Sequence, residues 1–141
     1  MREQPHFTKS YLNDLSYKII GCCIEVHKQL GPGLLESAYH ICLKREFFLR
    51  NITFTSQVLV PIGYKGIKLS TDYRLDFLVE DALVIELKAI DGILPVHEAQ
   101  LLTYMKLLAK PKGIVINFNC PNLVKEGSKQ MVNELFASLP D

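Results

Sequence analysis

Asp76, Glu86 and Lys88 are the residues of this chain whose types and spacing best suit chemistry. The stretch from Tyr73 to Lys88 alternates with period two and predicts a β-hairpin, yet two carboxylates and a lysine lie inside its apolar strands. Alternation assigns Leu75, Phe77, Val79, Leu83, Ile85 and Leu87 to one apolar face, and Asp76, Leu78, Val84, Glu86 and Lys88 to the other. With Glu80-Asp81-Ala82 as the loop, Val79 pairs with Leu83 and Asp76 falls opposite Glu86, roughly 5 Å apart at Cβ. Like charges at that spacing repel, so a divalent metal, a proton, or a nearby Lys or Arg must hold them together. Hard carboxylate oxygens favour Mg²⁺ or Mn²⁺ over Zn²⁺. Such an ion beside a lysine suits phosphodiester hydrolysis, in which water must attack a phosphorus guarded by anionic oxygens; Lys88 would orient or deprotonate that water, or offset the growing charge. The competing reading is a structural ion-pair cluster in which Arg74, opposite Lys88, shares the carboxylates.

The elements that must position these residues follow in the order α, α, β, β, β, α, β, α. Leu15, Ile19, Cys22, Val26 and Leu30 form a helical stripe over about residues 13–30 that Gly31-Pro32 ends, and a second helix is expected over about 34–50. Strands are expected at about 52–62, 67–79 and 83–90, with Gly63-Tyr64-Lys65-Gly66 as the first turn, giving an antiparallel meander. Pro95 suits the first turn of a helix running to about Ala109, residues 113–119 read as a short apolar strand, and a last helix is expected over 122–137. The strand after the crossover helix should pair parallel to the meander. The result is an α/β fold, a mixed sheet flanked by helices, with the charged end of the hairpin open at one rim. Residues 1–12 are expected to be a tail and 13–141 a single domain.

Composition gives no global signal for a polyanionic partner: 16 Lys and Arg against 15 Asp and Glu leave a net charge of +1. Any basic patch is local, with Lys65 and Lys68, Lys106, Lys110 and Lys112, or Lys125 and Lys129 as candidates. Cys22, Cys23, Cys42 and Cys120 contain no C-x-x-C pair, which argues for reduced thiols. With no signal pattern at the N-terminus and no apolar run of the roughly 20 residues a membrane span needs, a cytoplasmic protein is expected.

Asp76, followed after nine residues by Glu86-Leu87-Lys88, resembles the motif of the PD-(D/E)XK nuclease superfamily, with Leu75 where the motif name has proline. His97-Glu98-Ala99-Gln100 and Tyr104 follow on the next helix, where Gln100 and Tyr104 share a face, and this looks like the RecB-type branch. Gly33-Leu34-Leu35-Glu36-Ser37-Ala38-Tyr39 is similar to the signature of the GxxExxY family, and His27, Gly31, Tyr73-Arg74, Leu94-Pro95 and Ile116-Asn117-Phe118-Asn119 fit the same pattern. The resemblance spans roughly residues 14–135. It implies a restriction-endonuclease-like fold and a Mg²⁺-dependent (or Mn²⁺-dependent) nuclease acting on nucleic acid, in the first instance DNA. It also implies Glu36, Asp76, Glu86 and the Leu87 carbonyl as metal ligands, Lys88 as catalytic lysine, and Gln100 and Tyr104 as hydrogen-bonding positioners.

Plainer roles stand beside these. Glu36 suits a helix N-terminus as an acid facing the dipole, Tyr39 suits packing, and Gly31 and Gly33 suit a tight interhelical turn. His27, His40 and His97 lack zinc spacing. A nuclease fold that binds nucleic acid or a protein without cutting remains the rival from another class, as does a self-associating protein; a homodimer would also suit a nuclease that cuts two strands.

Overall fold

The computed structural model describes residues 7–69 and 73–141. Helix α1 (Lys9–Leu30) starts earlier than expected because Thr8 caps it, its hydroxyl accepting the Tyr11 N–H at 2.9 Å. It ends where Gly31 takes φ 69° and donates its N–H to His27. Leu12, inside the expected tail, is fully buried, while residues 1–6 of that tail lie outside the described residues. Helix α2 (Glu36–Leu49) follows directly.

Strands β1 (Phe54–Leu59), β4 (Arg74–Val79) and β5 (Leu83–Lys88) form the antiparallel meander. Between β1 and β4 a short ribbon, β2 (Gly63–Tyr64) and β3 (Ile67–Lys68), folds on itself. The strand expected over 67–79 is thus two strands, and residues 70–72 between them lie outside the described residues. Helix α3 (Pro95–Leu107) crosses over to β6 (Lys112–Asn117), which pairs parallel to β5 as expected. With an edge strand β7 (Ser128–Val132) the five-stranded order is β1-β4-β5-β6-β7, a mixed sheet flanked by helices and consistent with the restriction-endonuclease-like fold.

The expected last helix is corrected. Residues 123–137 divide into a single turn α4 (Leu123–Glu126), an edge strand β7 (Ser128–Val132) and another turn α5 (Glu134–Ala137). Gly127 sits at the break: a Cβ there would lie 2.7 Å from the Asn117 carbonyl oxygen, and its own carbonyl accepts the Asn117 N–H. The free edge of β6 then recruits residues 128–132, satisfying a row of backbone groups that a helix would leave open.

Two cores result. Helices α1 and α2 pack on one face of the sheet over Phe77, Val79, Leu83, Ile85, Leu87, Ile114 and Ile116. Helix α3 packs on the other through Leu101, Tyr104 and Met105, over Val84 and Val115. The expected single apolar face is corrected at one residue: Leu75 belongs to the α3 core, with Val60, not to the core of Phe77. The β1–β4 ladder explains it. Ser56 pairs with Phe77 and Val58 with Leu75, but the intervening pair, Gln57 with Asp76, is skipped, and Gln57 takes φ 55°. The β4–β5 ladder stops beside it, at Phe77 with Ile85. The meander is therefore unzipped on both sides of Asp76, and the alternation changes phase there. Among the described residues no helix is long and apolar enough to cross a membrane, and all four cysteines are free.

Candidate active site

Where the β4–β5 ladder stops, the two carboxylates take over its hydrogen bonds. The Asp76 N–H donates to Glu86 Oε1 at 3.1 Å, and the Leu87 N–H donates to Asp76 Oδ2 at 2.8 Å. Each acid thereby closes the gap left by the other strand, so the expected opposition of Asp76 and Glu86 persists without the expected backbone pair. The second oxygen of each carboxylate meets a nitrogen from elsewhere: Asp76 Oδ1 lies 3.5 Å from His40 Nδ1, and Glu86 Oε2 lies 4.0 Å from Lys88 Nζ.

Burial, and after it the neighbouring carboxylates, shape the electrostatics of this cluster. Glu86 is 6 % exposed, and burial, followed by the charge of Asp76, pushes its carboxyl up to about 8; Lys88 pulls the other way. Burial also raises Asp76, against the Leu87 N–H, His40 and Lys88. Glu36, in the first turn of α2, is raised by burial and then by Asp76. Three acids thus sense one another around one lysine.

Helix α3 supplies the next layer. Lys88 Nζ donates to Gln100 Oε1 at 3.5 Å, and Gln100 Nε2 donates to the Tyr104 oxygen at 3.1 Å. With the amide so oriented, the Tyr104 hydroxyl hydrogen remains available to another acceptor. Burial and the Glu86 charge raise the phenol, keeping it protonated. Pro95 opens α3, and His97 Nδ1 accepts the Leu94 N–H at 2.9 Å, fixing the start of the helix and hence the phase of Gln100.

Two further clamps set the loops. The Tyr39 hydroxyl donates to the Gly31 carbonyl at 2.6 Å and accepts the Leu34 N–H at 3.2 Å, while its ring stacks on Phe118. Gly33 has φ 101°, open to glycine. Gly33 and Tyr39 therefore shape the turn that delivers Glu36. On the far side Asn117, 1 % exposed, accepts the Ile90 N–H and donates to the Ile90 carbonyl, holding the loop after Lys88.

A cavity of about 280 Å³ opens between α2 and the meander, lined by Glu36, Ser37, His40, Ile41, Gln57 and Asp76. A larger one, about 590 Å³, borders Glu80 and Arg50 and takes in none of Glu36, Asp76 and Glu86. His40 and Gln57 were not singled out from the sequence as site residues. His40 stands one helical turn after Glu36, a spacing that signals a shared face, and stacks on Phe77 with centroids 4.3 Å apart. Burial lowers its imidazole pKa against the pull of Asp76. Gln57 carried no signal, because its exposure to the cavity comes from the skipped ladder pair.

Among the described residues no three His, Cys, Asp or Glu side chains stand close enough to cage an ion as they are. The donor set nonetheless fits a hard divalent cation: it is oxygen-rich, and Asp76 and Glu86 are held side by side, each accepting a backbone N–H from the other's strand.

A family model described as the PD-(D/E)XK nuclease superfamily matches residues 13–131. Its span takes in both carboxylates, Lys88, Glu36 and the α3 pair, and the chain belongs to that superfamily. No curated protein and no solved structure matches the chain.

Proposed function

We propose that this protein is a metal-dependent nuclease of the GxxExxY, RecB-like type, hydrolysing phosphodiester bonds in nucleic acid, in the first instance DNA. The observation that carries the reading is the mutual bonding of Asp76 and Glu86 across an unzipped stretch of sheet, with Lys88 4.0 Å from Glu86. Ladder hydrogen bonds are given up there, and two acids are held together in partial burial, an arrangement that costs stability and suits a cation site.

Glu36, Asp76, Glu86 and the Leu87 carbonyl would hold Mg²⁺ or Mn²⁺. When bound, that ion supplies Lewis-acid charge to the phosphoryl oxygens and lowers the pKa of an attacking water. The chain's own groups do the rest. Lys88, steadied by Gln100, orients the water at phosphorus and offsets charge on the pentavalent transition state. Tyr104 fixes the Gln100 amide and keeps a proton for a phosphate oxygen. His40 steers the Asp76 carboxylate, and the backbone N–H groups of Asp76 and Leu87 hold both acids in place before substrate arrives.

The test is cleavage of labelled single-stranded, duplex and branched DNA and of RNA with Mg²⁺ or Mn²⁺, wild type against Lys88→Ala. Cutting is expected to require the metal and to fall by at least about 100-fold in the variant. Binding without any cutting would replace this reading with a non-catalytic nuclease fold.

A further inference from the structure

The β2–β3 ribbon contributes to neither core, yet it leaves the sheet at the rim where β4 begins and β5 ends, between strands that deliver Gln57 and Asp76 to the cavity. We infer that this ribbon grips an unpaired stretch of nucleic acid, the Tyr64–Ile67 pair packing against bases while Lys65 and Lys68 meet phosphates. The inference rests on the nuclease reading and names the substrate feature that its site selects.

Three observations carry it. Tyr64 and Ile67 are cross-strand partners, so their side chains share a face of the ribbon, and they are 60 % and 59 % exposed. An aromatic ring beside an aliphatic side chain, both in water, forms a platform for a base face, which a duplex hides and a single strand offers. Next, Lys65 and Gly66 take φ 44° and 88°, a two-residue hairpin turn of the type that favours Asn or Asp at its first central position. A lysine sits in that left-handed position instead, its Nζ 5.3 Å from the Tyr64 ring centroid, so the tip joins a cation to the aromatic face. Finally, residues 54–69 contain Lys65 and Lys68 and no acidic side chain, although the chain as a whole is nearly neutral. An anionic polymer meets no like charge along this segment.

The base of the ribbon is anchored and points back to the site. Val60 is buried in the α3 core and donates its N–H to the Tyr73 carbonyl, next to the start of β4. Strand held by the ribbon therefore passes the rim that carries Lys88.

Fluorescence anisotropy with a labelled single-stranded DNA and its duplex form, in the Lys88→Ala background that prevents cutting, tests the inference. Single strand is expected to bind more tightly than duplex. Adding Tyr64→Ala should weaken single-strand binding by on the order of tenfold. Replacing Lys65 and Lys68 with alanine should reduce the steepness of log affinity against log salt by about 1.4. Both changes should leave the melting temperature unaltered, because the side chains lie outside the cores. Unchanged binding in both ribbon variants, with the parent still binding and the wild type still cutting, overturns the ribbon's role and leaves the nuclease reading standing. Loss of self-association on size-exclusion chromatography with binding intact also overturns it and makes the ribbon a contact between copies. A wild type that neither binds nor cuts any nucleic acid sinks the nuclease reading itself.

Discussion

At the scale of single residues the site is a problem in charge. Glu86 is pushed up to about 8 by burial and by Asp76, so in the metal-free protein the folded state binds its proton more tightly than the unfolded chain does. A raised pKa contributes stability below the ordinary carboxylate range and loses it as pH climbs through about 8. Without metal, the urea midpoint of the wild type is therefore expected to fall between pH 5 and pH 9. Glu86→Gln, which keeps the Oε1 acceptor for the Asp76 N–H, should flatten that decline and be the more stable protein at pH 9, by on the order of a few kcal/mol. A steeper decline in the variant would contradict the assignment. Asp76, Glu86 and Lys88 were legible from the sequence because charge inside an apolar alternation is rare and costly. His40 was less legible, since its one-turn spacing from Glu36 marks only a shared helix face, and its meaning comes from Phe77 and Asp76 on a strand distant in sequence.

At the scale of elements the informative feature is the ladder pair skipped between Gln57 and Asp76. A glutamine at φ 55° carries backbone strain of about 1 kcal/mol or more that glycine would not. Gln57→Gly is expected to raise the unfolding free energy by up to about 1 kcal/mol in denaturant titrations. A destabilised variant would show that the strain reading is mistaken. Pattern reading placed α1, α2, the meander, the crossover helix and the parallel strand, because each has a period long enough to see. It misplaced Leu75, since alternation cannot announce a change of phase caused by side chains replacing ladder bonds. It also read residues 122–137 as one helix, because an unsatisfied edge on β6 and the close approach at Gly127 are tertiary facts that a local window does not contain.

At the scale of the whole molecule, a cation held as proposed by carboxylates of α2, β4 and β5 would couple its binding to folding. Mg²⁺ at about 100 times its dissociation constant should add about 2.7 kcal/mol, a rise of roughly 5–10 °C in melting temperature for a domain of this size. Asp76→Asn, which retains an acceptor for the Leu87 N–H, should abolish the rise; an equal shift in that variant would move the ion elsewhere. Assembly order adds a consequence. Glu36, Asp76, Glu86, Lys88, Gln100 and Tyr104 all precede β6, whereas Asn117, which clamps the Ile90 loop, and β6 itself, which completes the sheet beside β5, come after them. A nascent chain emerging from a ribosome thus displays the charged groups of the candidate site before it owns the strand that pairs with β5 along Glu86, Leu87 and Lys88.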